Sequence, residues 1–253
     1  MQQTGTESSR GQSSVSKTSS QNNVPLILVS ERQTMTVFFN SNSKDYHMLS
    51  NFSSAPITIA KAELDPSWTE LNPLLASFFH EETLEFLSVE HLWHALKATD
   101  RETFLQFAIG GRFGSADVEA FSTVFCRETA EAKQKWWMKK NNVGIIPKMA
   151  ANFRRGTKLG IKKKMQYERE RPSADVERRV WLALLERKYK QNGNHAAVLK
   201  KTCGRRLIEF VRSAAIAGST EHWGGCIVDG KLRGENAMGQ YMEETRNKLF
   251  PNE

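Results

Sequence analysis

In the stretch SVEHLWHALKA (88–98), a carboxylate (Glu90), an imidazole (His94) and an amine (Lys97) recur at spacings that a helix brings onto one side. A carboxylate steadies developing positive charge or carries a proton, and a neutral amine attacks an aldehyde-level carbon. With successive residues about 100° apart on a helix, Val89, Leu92 and Leu96 gather as an apolar face. Glu90, His94 and Lys97 then lie within roughly 60° of one another, with Trp93 at their edge. Glu90 and Lys97 stand about 10 Å apart along the axis, too far for an ion pair but suited to gripping one ligand at two points. The competing reading is a solvated stripe in which Glu90 and His94 form an ordinary i,i+4 pair. No role is assigned to His94.

The elements that must position this helix follow from periodicity and turn chemistry. Ser88 is a good N-cap. TMTVFFN (34–40) alternates as a strand does, and YHMLSNFSSAPITI (46–59) passes through a turn into a second strand. DPSWTELNP (65–73) reads as turn material. ETFLQFAI (102–109) and SADVEAFSTVF (115–125) read as short helices, and AEAKQKWWMKKNN (130–142) as a basic one. VERRVWLALLERKYKQ (176–191) has a strong helical period through Val176, Val180, Leu184 and Leu185. HAAVLKKTCGRRLIEFV (195–211) predicts a helix broken near Gly204 with a strand after it, and GGCIVDGKLRG (224–234) a hairpin turning at Asp-Gly. The last helix turns Met238, Met242, Thr245 and Leu249 inward. Helix dominates with a few short strands, which predicts a single α+β domain over residues 24–253 rather than a parallel α/β sheet.

Residues 1–23 are Ser, Gln, Thr and Gly with few apolar side chains, too little to offset ordering entropy, and read as a disordered tail. VPLILV (24–29) is too short to span a membrane and reads as a strand entering the fold. No membrane partner is expected. Of 253 residues 39% are hydrophobic, enough for a real core. Lys and Arg exceed Asp and Glu by 36 − 28 = +8, which favours anionic partners. Cys126, Cys203 and Cys226 are widely spaced, with no metal-ligand pattern, so neither a disulfide framework nor a metal site is expected; a reducing, intracellular setting fits. RRGTKLGIKKKMQYERER (154–171) carries eight basic residues against two acidic ones, a solvated run or a grip on a nucleic-acid backbone. GENAMGQYM (234–242) opens into a helix, where Asn236 could cap and free amides could face an anion; a tight turn is the plainer reading.

Six segments, in order, resemble the NADAR family (NAD- and ADP-ribose-associated proteins, also called YbiA-like): LSNFSSAPI (49–57), SVEHLWHALKA, WWMKKNNVGIIPKMAAN (136–152), LERKYKQN (185–192), LKKTCGRRLIEF (199–210) and HWGG…GENAMGQYMEETR (222–246). The resemblance covers roughly residues 34–250 and implies a helix-rich α+β fold, no metal and no cofactor. It also implies N-glycosidase activity, with ADP-ribosylated guanine in DNA or RNA as substrate and ADP-ribose as product. By position it makes Glu90 the catalytic carboxylate and Lys97 the lysine that ends that motif. Asn51, Phe52, Trp137, Lys148, Trp223, Gly224, Asn236 and Gly239 stand at pocket-forming positions. Two departures stand out. Cys203 replaces the usual Gly, and the family's aspartate before Trp-Gly is replaced by Glu221 or falls at Thr220.

Cleaving a ribose–nitrogen bond builds positive charge at C1, which Glu90 would stabilise. Lys97, if neutral, would capture an opened ribose as an imine; a salt bridge or phosphate contact is its other reading. Trp137 and Trp223 would stack on bases, and Arg205, Arg206 and Arg246 would meet a pyrophosphate, unless these are ordinary core and surface groups. Two alternatives remain: an N-glycosidase on ribosylated riboflavin-pathway intermediates, and a binding module for ADP-ribose or nucleic acid without chemistry.

Overall fold

The computed structural model describes residues 35–41, 43–80, 83–111, 114 and 172–253. All belong to one unit, Gln33–Glu253. The expected tail, the VPLILV strand, the helices within 115–142 and the basic run 154–171 lie outside the described residues, as do Trp137 and Lys148.

The described elements run β1 (Thr36–Phe39), β2 (Ile57–Ile59), α1 (Pro66–Leu71), α2 (Leu75–Phe78), β3 (Leu84–Phe86), α3 (Val89–Ala95), α4 (Arg101–Leu105), α5 (Ala174–Gln191), α6 (Gly193–Lys200), β4 (Arg206–Glu209), β5 (Cys226–Val228), β6 (Lys231–Arg233) and α7 (Ala237–Leu249). The strands form three two-stranded sheets: β1 with β4, β2 with β3, and β5 with β6. β1 and β4 are parallel, Phe39 opposite Glu209, and the other two pairs are antiparallel. The α+β expectation holds, with one parallel pair inside it.

DPSWTELNP is a correction. It forms α1, because Asp65 accepts from the Ser67 amide as N-cap and Pro66 supplies the first helical φ. Asp-Pro is a helix start as readily as a turn, and burial of Trp68 and Leu71 decided between them. β3 was not anticipated; Leu84–Phe86 is three residues long, too short for alternation to register. The Asp229-Gly230 turn is as expected, with φ of 51° and 73° there.

α5 is the central element: α1, α3, α6, α7 and β2 all pack on it. It buries Val180, Trp181, Leu184, Leu185 and Tyr189, and the wider core adds Trp68, Phe39, Phe79, Phe86, Phe104 and Phe107. In this apolar setting α5 also buries Lys188 completely. Its Nζ donates to the carbonyls of Met48, Leu49 and Ser50 at 2.9, 3.3 and 3.0 Å. Burial pushes Lys188 down to about 7 while Glu209 pulls the other way; three carbonyl acceptors favour the ammonium, the form that has three N–H groups. This lysine pins the loop that delivers Asn51 and Phe52.

Candidate active site

Ser88 caps α3 as its sequence predicts, accepting from the His91 amide. Residues 89–95 are all buried, so the polar stripe is not a solvated face. It faces a cavity of about 560 Å³ whose lining includes Glu90 and His94 from α3, Lys97 just past the end of that helix, Asn51 and Phe52 from the pinned loop, and Trp223. Of the positions implied by the resemblance, those five other than His94 come together on one wall system.

Glu90 is 8% exposed, and its Oε1 accepts from His94 Nε2 at 2.9 Å. Burial works against its charge, but His94, by charge and hydrogen bond, together with Lys97 and His91, outweighs burial and holds the carboxyl below its ordinary range. Glu90 is therefore ionised at neutral pH. Lys97 Nζ lies 3.6 Å from the centroid of the Trp93 ring, a contact that favours the ammonium. Trp93, Trp181 and Trp223 cluster beside it, with centroids 4.9, 6.2 and 5.4 Å apart. Asn51 Oδ1 and Trp181 Nε1, both on lining residues, are buried without a hydrogen-bond partner.

Three further carboxyls line the same cavity: Glu177, Glu209 and Glu221. Glu177 is held by His222 Nε2 at 2.8 Å, and His222 Nδ1 meets Glu235 on its other side. Glu221 accepts from the Trp223 amide and from Ser213 Oγ, both at 3.3 Å. Glu221 thus stands at the cavity where the family's second acid was in question. Glu209, at the end of β4, was not singled out from sequence. The available signal was a charged residue inside the apolar strand RLIEF. Burial, reinforced by Glu90 and Glu221 and opposed by Lys188, pushes its carboxyl up to about 8.

Gly224, Asn236 and Gly239 do not line the cavity; they brace β4. Asn236 takes a left-handed φ of 54°. Its Oδ1 accepts from the Glu209 amide at 3.0 Å and its Nδ2 donates to the Leu207 carbonyl at 2.8 Å, so it does not cap α7. A Cβ on Gly224 would strike the Glu209 carbonyl, and one on Gly239 the Leu207 carbonyl. At the start of α7 the Ala237 and Met238 amides are already engaged, donating to the carbonyls of His222 and Trp223. Arg246 is buried and donates to the carbonyls of Thr202 and Arg205, a structural role rather than a pyrophosphate contact. Arg205 reaches the Tyr46 hydroxyl, and neither it nor the exposed Arg206 lines the cavity.

Among the described residues no helix is long and apolar enough to cross a membrane, and no group of three or more His, Cys, Asp or Glu side chains is placed to hold a metal ion. No protein-family model matches the chain, and no curated protein matches it. Among solved structures the chain is similar to the E. coli protein YbiA, determined by NMR, at 20% identity over 86% of this chain and 86% of that chain. The TM-score is 0.43, so the likeness says nothing about either protein's site.

Proposed function

We propose that this chain is an N-glycosidase that removes ADP-ribose from guanine bases in DNA or RNA. The observation that carries the reading is Glu90: a buried carboxylate, kept ionised by His94 and Lys97, on a cavity that also presents Trp223 for stacking. Binding alone gains nothing from burying a charge there, since the desolvation is offset only by partners built for it. As the C1′–N bond breaks, its electron pair goes to the base nitrogen and positive charge grows at C1′. Glu90 faces that charge, and takes a proton from the water whose oxygen bonds C1′. Lys97 contributes a positive charge beside Glu90 and a donor for ribose or phosphate oxygens.

An imine through Lys97 needs a neutral amine, which must first leave the Trp93 ring and lose a proton. For that reason water is the nucleophile in the proposed reaction.

A second reading is cleavage of small N-ribosylated pyrimidines. It is favoured by the lining, where among the described residues the carboxylates of Glu90, Glu177 and Glu221 face the ammonium of Lys97; a pyrophosphate gains little from such walls. Incubation with an ADP-ribosylated guanine oligonucleotide and, separately, an N-ribosylated pyrimidine, each followed by mass spectrometry, decides. Release of ADP-ribose with restored guanine supports the first reading, and cleavage of the pyrimidine riboside alone supports the second. Tight binding without cleavage of either overturns both and leaves a binding module.

A further inference from the structure

We infer that Glu209 is the general acid of this site, handing its proton to the departing base as the glycosidic bond breaks. The inference rests on the glycosidase reading and adds a residue that the motif resemblance does not assign. Among the described residues four carboxyls line the cavity, and three have a donor: Glu90 has His94, Glu177 has His222, and Glu221 has the Trp223 amide and Ser213. Among the described residues, the Glu209 carboxyl accepts no hydrogen bond and makes no ion pair. Of the four, it alone stands among like charges without a partner among the described residues.

Three charged groups act on it, while Glu243 of α7 is engaged by the Leu207 amide of β4. Glu90 acts on it from α3, Glu221 from the loop before β5, and Lys188 from α5. Lys188 spends its N–H groups on the carbonyls of residues 48–50, so it offers charge at a distance but no hydrogen bond. Burial, reinforced by the two carboxylates nearby, keeps a proton on Glu209, while Glu90 stays bare. Carboxyls whose surroundings drive their protonation apart divide the work of acid and base.

The strand that carries Glu209 is held rigidly. Its amide donates to Asn236 and its carbonyl accepts from the Gly225 amide at 2.8 Å, while Gly224, lacking a side chain, permits the close approach behind it. The glycine and asparagine at pocket-forming positions thus act by placing this carboxyl. In the reaction the C1′–N bond breaks with its electron pair going to nitrogen, and the Glu209 proton goes to the base. Water gives hydroxyl to C1′ and its proton to Glu90. Exchange with solvent then returns one proton to Glu209 and removes one from Glu90.

The test compares leaving groups. A guanine or pyrimidine N-riboside needs a proton on its departing base, whereas a pyridinium N-riboside releases a neutral pyridine and needs none. In the full chain, Glu209→Gln should lose about 100-fold or more in turnover on the first class. On the pyridinium riboside it should stay within about threefold, the leaving group no longer needing the acid. The alkaline limb of kcat/KM near pH 8 in the unaltered protein should vanish in the variant, and Glu209→Asp should recover part of the loss. Equal loss on both classes, or an alkaline limb that persists in Glu209→Gln, overturns the assignment. If the unaltered protein cleaves neither class, the glycosidase reading fails. Where the unaltered protein does cleave, titration of the Glu209 carboxyl by ¹³C NMR judges the assignment by itself: a midpoint near 8 sustains it and one in the ordinary carboxylate range defeats it.

Discussion

Glu90 Oε1 and His94 Nε2 are 2.9 Å apart, one helical turn from each other on α3 and both buried. At the surface an i,i+4 pair of this kind contributes a few tenths of a kcal/mol. In a cavity wall the same pair sets a charge, because it overcomes the burial that would otherwise protonate Glu90.

Loss of His94 should therefore appear in the pH profile before it appears in the fold. His94→Leu removes the largest influence that lowers the Glu90 pKa, so that pKa rises. Activity that needs ionised Glu90 should show its acid limb at higher pH, measured as kcat/KM against pH. Glu90→Gln should lose roughly 100-fold or more in turnover with an unchanged circular dichroism spectrum. A loss below about tenfold would make Glu90 structural.

Reductive trapping reports on Lys97. With cyanoborohydride present during turnover, no ADP-ribose should become fixed to the protein, because the amine rests as a cation over Trp93. An adduct mapped to Lys97 would restore the imine route. Lys97→Arg keeps the charge and should retain measurable turnover, whereas an imine mechanism predicts none, since guanidinium stays protonated.

Glu209 predicts a pH dependence of stability as well as of rate. Its carboxyl in the fold is raised from about 4.5 to about 8, so the folded protein holds a proton that the unfolded chain gives up. The stabilisation is complete below pH 4.5 and falls as pH rises toward 8. Thermal melts of Glu209→Gln against the unaltered protein should diverge across that window, the variant gaining relative stability as pH rises. Parallel curves would place the Glu209 pKa in the ordinary range.

Lys188→Met takes a donor from each of the carbonyls of residues 48–50, although Met48 and Ser50 still accept from Ser53. We expect destabilisation of roughly 1–3 kcal/mol by denaturant unfolding. We also expect a higher KM with a smaller change in kcat, since the loop holding Asn51 and Phe52 loosens while α3, which carries Glu90, keeps its packing on α5. A kcat loss as large as that of Glu90→Gln would place Lys188 in the chemistry itself.

The basic run enters through salt. If residues 154–171 grip a nucleic-acid backbone, neutralising Lys162, Lys163 and Lys164 should weaken oligonucleotide turnover and flatten its salt dependence, with a mononucleoside substrate nearly unaffected. Equal loss on both substrates would assign the run to folding or to the pocket.

What could be read from the chain alone was local. The α3 stripe, its Ser88 cap, the α5 period and the Asp229-Gly230 turn depend on neighbours within a few residues, where spacing and backbone preference act directly. α1 escaped because Asp-Pro starts helices and turns alike, and only the burial of Trp68 and Leu71 tips the balance. The protonation of Glu209 is of another kind. Nothing in RLIEF indicates that Glu90, 119 positions earlier (209 − 90), and Glu221 would stand near it while Lys188 turned its donors elsewhere. Asn236 shows the same dependence: its motif suggests a helix cap, and the fold instead spends both ends of its amide on β4. A residue's type sets which protons and bonds it can offer, but its charge and its partners depend on what the rest of the chain packs beside it, and that exists only once the tertiary structure has formed.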